Sequence, residues 1–389
     1  MQIHPGSTLI YSDIQKSDIA IFRHKIKIRI QFDYSPKVVI DFGDFSSEPY
    51  TVVVKDSNGN VIYTSNIVTG HFAMAYRRWI CDMDILVYDR NVNLCASFNL
   101  YNKIKTGKVL IRIESSSLGD TLAWVPYVNE FAKFHKCSDI TVTTFWNHLF
   151  SGKYPDINFR HPGFHENGTD VLIGVGWYIE DDVNYHRKDP RSCNLQEVCS
   201  DILGINYGGE IKPIINFSPS DRPIEDKYVC IATQSTAGCK VWSRPNAWQE
   251  LSDELISRGY KVVNISKNGE TFNGVLNLND ESSLLKTMNY IHHCEFLVGL
   301  SSGLSWLSWA LGKHVVMISN FTNENNEFSS GCTRIVNKEV CNSCWNDTSH
   351  KFDRSWDWCP RHLGTERHFE CHREISPSMV LSKIQNLLS

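Results

Sequence analysis

Four groups of residues in this sequence have types and spacings suited to chemistry. The first is the turn SSSLGD, ending at Asp120, which follows the strand-like run VLIRIE. A carboxylate at the C-terminal edge of a parallel strand sits where open α/β sheets place their sites, and it can serve as a general base. The simpler role for Asp120 is that of a helix N-cap. The second is TQSTAGCK, which has neither Walker nor GxGxxG spacing. Thr233, Ser235 and Thr236 supply hydroxyls, Gly238 a flexible backbone and Lys240 a mobile ammonium, a set that can hold a diphosphate without a metal. The plainer alternative for Lys240 is a solvated loop lysine. The third is VGLSSGLSWLSWALG, where Ser301, Ser302 and Gly303 open a helix whose free N–H groups suit an anion; simple capping by Ser302 is the competing role.

The fourth group is Cys341-Asn-Ser-Cys344, followed by Cys359 and Cys371. A CxxC knuckle with two further thiols offers four soft ligands, the number of a tetrahedral site. Zinc and mononuclear iron both suit four thiolates, and His350, His362, His368 or His372 is able to replace one cysteine. Four thiolates close the coordination sphere, so the site is structural and folds a core-poor segment. Cys332 stands apart as a buried thiol, and the spacing of Trp306 and Trp309 is that of core side chains on a helix.

The elements that must position these groups are readable from periodicity. Residues 1–107 alternate apolar and polar in short runs (IAIFRHKIKIRIQF, KVVIDFG, YTVVVKDSNGNVIYTS), which predicts a small all-β domain with a hairpin at Asn58-Gly59. Residues 108–222 change rhythm: VLIRIES is a strand, TLAWVPYVNEFAKF a helix beginning after Asp120, ITVTTFWN and VLIGVGWYI further strands, and LQEVCSDILG a helix closed by Gly204. After the linker FSPSDRPIEDK, residues 223–330 repeat the strand–helix cycle, and residues 331–389 carry the cysteines and a last helix. The expected fold class is α/β: a pair of Rossmann-like domains with a ligand cleft between them, an N-terminal all-β domain and a C-terminal four-cysteine metal finger.

Composition narrows the function classes. The 389 residues carry 39 Lys+Arg against 43 Asp+Glu, a net charge of −4, and therefore no basic field for nucleic acid or an anionic membrane. Apolar runs fall far short of the roughly 20 residues that cross a bilayer, and the N-terminus lacks the features of a secretory signal, so a cytoplasmic location is expected. In that compartment the 13 cysteines are reduced thiols or metal ligands rather than disulfides, and the sequon at Asn167 is silent.

The LGDTLAW stretch around Asp120, the GCK turn around Lys240, SSGLSWLSWALG, and CNSC with its two later partners together resemble the bacterial autotransporter heptosyltransferases of TibC type, over nearly the whole chain. Lipopolysaccharide heptosyltransferases are similar in the middle loops but lack the cysteine finger. The resemblance implies a GT-B-like pair of Rossmann-like domains and a cytoplasmic protein O-heptosyltransferase that moves heptose from ADP-heptose to serine hydroxyls of an autotransporter adhesin passenger domain. It further implies Asp120 as base, Lys240 as a contact to diphosphate or sugar, the four cysteines as ligands of one structural Fe3+ per subunit, with zinc as the alternative, and a dodecameric ring. Two other readings stand beside it: a heptosyltransferase acting on a lipid-linked saccharide, and a non-catalytic nucleotide-binding assembly protein.

Overall fold

The computed structural model describes residues 27–41, 48–165, 168–179, 185–267, 269–278, 283–353 and 357–388. The start of the first predicted strand run (19–26) and Asn167 lie outside the described residues. In chain order the elements are β1 (Ile28–Asp33), β2 (Pro36–Ile40), β3 (Tyr50–Asp56), β4 (Val61–Ile67), β5 (Phe72–Met74), β6 (Met83–Tyr88), β7 (Leu94–Asn99), α1 (Leu100–Thr106), β8 (Lys108–Ile113), α2 (Leu118–His135), β9 (Asp139–Thr143), β10 (Asn158–Arg160), β11 (Val171–Val175) and α3 (Leu195–Ile202). There follow β12 (Tyr228–Ile231), α4 (Ala247–Ser257), β13 (Lys261–Asn264), β14 (Leu276–Asn277), α5 (Leu284–His293), β15 (Phe296–Leu300), α6 (Gly303–Ala310), β16 (His314–Ile318), β17 (Cys332–Ile335), α7 (Glu370–Arg373) and α8 (Pro377–Lys383).

The described strands that precede α1 divide between two sheets. Strands β4-β3-β6-β7 form an antiparallel sheet of their own, and the predicted hairpin joins β3 to β4, with Gly59 at φ +82° and Asp56 Oδ1 accepting from the N–H groups of Asn58 and Asn60. Strands β1, β2 and β5 instead extend the next sheet, whose order is β10-β9-β8-β11-β1-β2-β5. Their apolar faces, Ile28, Phe32, Val38 and Ile40, are buried in the same core as β8 and β11, because β1 pairs in parallel with β11 and continues its surface. Alternation along a strand reports one buried face; it carries no record of which sheet that face joins.

The second α/β sheet is wholly parallel, ordered β14-β13-β12-β15-β16-β17. Numbered within its own domain this is 3-2-1-4-5-6, the doubly wound Rossmann order. Its two central strands, Tyr228–Ile231 and Phe296–Leu300, are fully buried, since helices cover both faces. The core of the first sheet begins with the same logic, 3-2-1-4 across β10-β9-β8-β11. Each sheet therefore has a switch point where the winding reverses, between β8 and β11 in one and between β12 and β15 in the other. Among the described residues no helix is long and apolar enough to cross a membrane.

Candidate active site

Asp120 lies where the chain leaves β8 at the first switch point. The helix that follows starts at Leu118, earlier than the sequence suggests, because Ser117 is its cap and accepts from the Asp120 N–H (3.4 Å). That relieves Asp120 of capping. Its carboxylate Oδ2 accepts instead from Ser115 Oγ (2.6 Å) and from Trp177 Nε1 (2.9 Å), the latter just beyond β11 across the switch point. Both bonds fall on Oδ2, so Oδ1 has no hydrogen-bond partner among the described residues. Burial pushes the Asp120 pKa above the ordinary carboxylate range, while the two hydrogen bonds and the Lys240 charge pull it down without cancelling the rise.

The second switch point supplies the opposite wall. The two halves meet where α2 and α6 begin: a Cβ added to Gly303 would lie 3.0 Å from Leu118 Cβ and 3.1 Å from the Gly119 nitrogen, and one on Gly119 would lie 3.3 Å from Gly303 Cα. Paired glycines let the two helix N-termini come this close without crowding. Ser302 precedes α6 in extended conformation, yet its hydroxyl does not cap the helix and is buried without a partner among the described residues. Ser301 is used differently, its Oγ donating to Glu327 Oε1. Glu327 is 2 % exposed and also takes Thr322 Oγ1, Asn326 Nδ2 and the Arg334 guanidinium. Burial alone would raise its pKa, but Arg334, the Ser301 bond and Lys240 together hold it below the usual range.

Lys240 ends a short 3-10 turn, Gly238–Lys240, and its charge acts on both Asp120 and Glu327. Of the hydroxyls predicted beside it, Thr233 is buried, with its N–H and Oγ1 both donating to Ser266 Oγ (2.6 and 3.0 Å). Ser235 Oγ accepts from the Ala237 N–H (3.5 Å), and Thr236 is exposed. The arrangement thus has a carboxylate with one open oxygen on one wall. A cation, a helix N-terminus and an unpartnered hydroxyl stand on the other, which is the pattern of a base facing an anionic leaving group.

The cysteine segment packs against Trp177, the partner of Asp120, and against Cys239, the neighbour of Lys240. Cys344, Cys359 and Cys371 are buried and Cys341 partly so, and all four thiols act electrostatically on one another. The ligand atoms gathered within 4.8 Å of one another are those of Cys341, His362 and Glu370. The residue types fit a soft metal, with Cys341, Cys344, Cys359 and Cys371 as thiolate donors and His362 at hand as a nitrogen donor. Glu370 is held by Arg367, and His362 Nε2 lies 3.7 Å from its Oε1.

Sequence reasoning singled out Asp120, Lys240 and the serines, but not Ser115, Trp177, Glu327 or Arg334. A signal existed for two of these. Trp177 follows a strand at the edge that Asp120 occupies, and Glu327 ends the polar run NENNE after a strand. Trp306 and Trp309 are core side chains, as their spacing predicts.

The sequence profile of glycosyltransferase family 9 (heptosyltransferase) matches residues 213–355. The autotransporter heptosyltransferase Aah of Escherichia coli is 31 % identical over 349 residues, 87 % of this chain and 88 % of that protein. TibC of Escherichia coli O78:H11 is 35 % identical over 297 residues, 73 % and 72 % of the two chains. Its crystal structure, described as an iron-containing dodecameric glycosyltransferase, superposes with a TM-score of 0.84 at 30 % identity over 96 % of this chain and 99 % of that one. BimC of Burkholderia thailandensis, described as an inactive autotransporter heptosyltransferase, is 33 % identical over 297 residues, 72 % and 68 % of the two chains. Similarity over most of the length, on the same pair of α/β sheets, places this chain in the autotransporter heptosyltransferases.

Proposed function

We propose that this chain transfers heptose from ADP-heptose to serine hydroxyls of an autotransporter passenger in the cytoplasm. TibC has been crystallised with ADP-D-beta-D-heptose, which supports the choice of donor. One relative is described as inactive, so turnover depends on the residues of the site itself. The observation that carries it is the Asp120 carboxylate, relieved of capping, with Oδ1 unbonded among the described residues and the Lys240 charge acting on it. A serine hydroxyl is a weak nucleophile, so Asp120 takes its proton as the bond to the anomeric carbon forms. Charge developing on ADP is met by Lys240, by Ser302 and by the backbone opening α6 at Gly303, with Ser235, Thr236 and Gly238 lining the turn. Attack from the face opposite ADP inverts the anomeric centre, and NMR of the glycoserine product reads that outcome.

In this reading β3, β4, β6 and β7 form the β-rich unit, 108–222 with β1, β2 and β5 the acceptor side, 223–330 with β17 the donor side, and the remainder of 331–389 the finger. Cys341, Cys344, Cys359 and Cys371 hold a structural iron, which when bound supplies a closed cross-link and no open coordination position. The dodecameric assembly of TibC supports a ring of this chain too. Intact-mass analysis of a passenger domain incubated with the protein and ADP-heptose tests the proposal. A ladder of heptose additions that disappears in Asp120→Ala is expected; a passenger left unmodified by the wild-type chain refutes it.

A further inference from the structure

The cysteine segment reaches the candidate base through one side chain. Trp177, which donates to Asp120, packs edge-on against Trp345, their ring centroids 5.3 Å apart at 89°. Trp345 directly follows Cys344 and is walled in turn by Phe352 (5.0 Å) and Phe321 (6.1 Å). On its other side Trp177 meets Trp124 of α2 at 5.8 Å. The indole is therefore wedged between the helix that bears Asp120 and the loop that bears a thiol pair.

That loop is clamped to the first α/β unit by Arg191, which precedes α3 and is 3 % exposed. Its guanidinium donates to four carbonyl oxygens of one loop: Trp345 (2.7 Å), Cys344 (3.1 Å), Asp347 (2.6 Å) and His350 (2.6 Å). It also lies 5.9 Å and 5.5 Å from the ring centroids of Trp345 and Trp358. In return, Asn346 Nδ2 donates to the Arg191 carbonyl (2.7 Å). A buried guanidinium with its donors spread over one turn fixes the path of that turn, because each lost contact would leave a buried donor unmatched. The same cluster contains Cys239, the neighbour of Lys240.

We propose that Trp177 is a positioning residue for Asp120 and that the cysteine segment holds Trp177 in place through Trp345. The segment then sets the reactivity of the base as well as the stability of the chain. The inference rests on Asp120 being the base. An indole N–H on Oδ2 favours the ionised form and, with Ser115, turns Oδ1 toward the acceptor. Losing it leaves burial less opposed, so the base ionises at higher pH and is less well oriented.

The test is steady-state transfer from ADP-heptose to a passenger domain by the full-length protein across pH, with Trp177→Phe and Trp345→Ala beside wild type. Trp177→Phe keeps a ring and removes the N–H. Its kcat is expected to fall about tenfold, as for one hydrogen bond to a charged group, with KM for ADP-heptose changed less than about twofold. The acidic midpoint of its pH profile moves up by about one unit. Trp345→Ala touches no atom of Asp120, and its midpoint is expected to move in the same direction; it also carries the test if Trp177→Phe fails to fold. An active wild type with an unmoved midpoint in Trp177→Phe overturns the positioning role, and an unmoved midpoint in Trp345→Ala overturns the part given to the segment. A transfer-inactive wild type, or an Asp120→Asn variant of full activity, overturns the base itself and this inference with it.

Discussion

Gly303→Ala probes the meeting of the two halves most directly. Taken alone the substitution favours the helix, since Ala exceeds Gly by about 0.8–1.0 kcal/mol in helix propensity. The new methyl, however, would stand 3.0 Å from Leu118 Cβ and 3.1 Å from the Gly119 nitrogen, atoms that cannot turn aside. Reaching ordinary contact at about 3.5 Å requires α6 and α2 to part by roughly 0.5 Å, and overpacking of this kind costs about 1–3 kcal/mol. The net destabilisation is therefore about 0–2 kcal/mol. The larger effect falls on geometry, because the shift moves Ser302 and the opening of α6 away from Asp120. A displacement of about 1 Å can cost on the order of a hundredfold in rate, so half that distance predicts a fall of about tenfold. Gly119→Ala meets Gly303 Cα at 3.3 Å and Trp306 Cδ1 at 3.4 Å, and its loss should be smaller. Single-turnover transfer at saturating ADP-heptose, together with Tm, measures both variants. Wild-type rates in Gly303→Ala, or a larger defect in Gly119→Ala, would refute the argument.

Asp120→Asn should lower kcat about a hundredfold to ten-thousandfold, the range of a lost general base, while raising Tm at neutral pH. The sign follows from the raised pKa: the fold prefers the protonated acid, so its contribution to stability is present at low pH and is lost as pH rises through the folded pKa. The Tm advantage of the amide should accordingly vanish under acidic conditions, which a pH series of melting curves will show. Glu327→Gln leaves Arg334, 9 % exposed at its side chain, without its buried counter-charge and should cost about 3–5 kcal/mol in denaturant unfolding. The depressed pKa of Glu327 means that its stabilisation is present above the unfolded carboxylate pKa and lost as pH falls through the folded one, so the variant's deficit should shrink in acid. Elemental analysis is expected to find one iron per chain, and Cys341→Ser to lose the metal together with several degrees of Tm.

The local features of this protein could be read along the chain alone. The hairpin at Gly59, the strand–helix alternation after Lys108, the burial of Trp306 and Trp309 and the ends of strands that carry Asp120, Lys240 and Ser302 were all legible, because periodicity and turn chemistry act over a few residues. Gly204 was legible as a helix stop; at φ +68° an added Cβ would lie 2.0 Å from the Ile80 carbonyl oxygen, so only glycine fits. Tertiary structure decided what depends on contacts between distant segments. It placed β1, β2 and β5 in the sheet of β11, and transferred the cap of α2 to Ser117. It also brought Trp177, Glu327 and Arg191 to partners up to 159 positions away. No local pattern encodes such pairings, since a tryptophan or a buried glutamate looks the same in sequence whether it packs in a core or holds a carboxylate. Their roles arise only when two switch points face each other and the cysteine segment closes behind them.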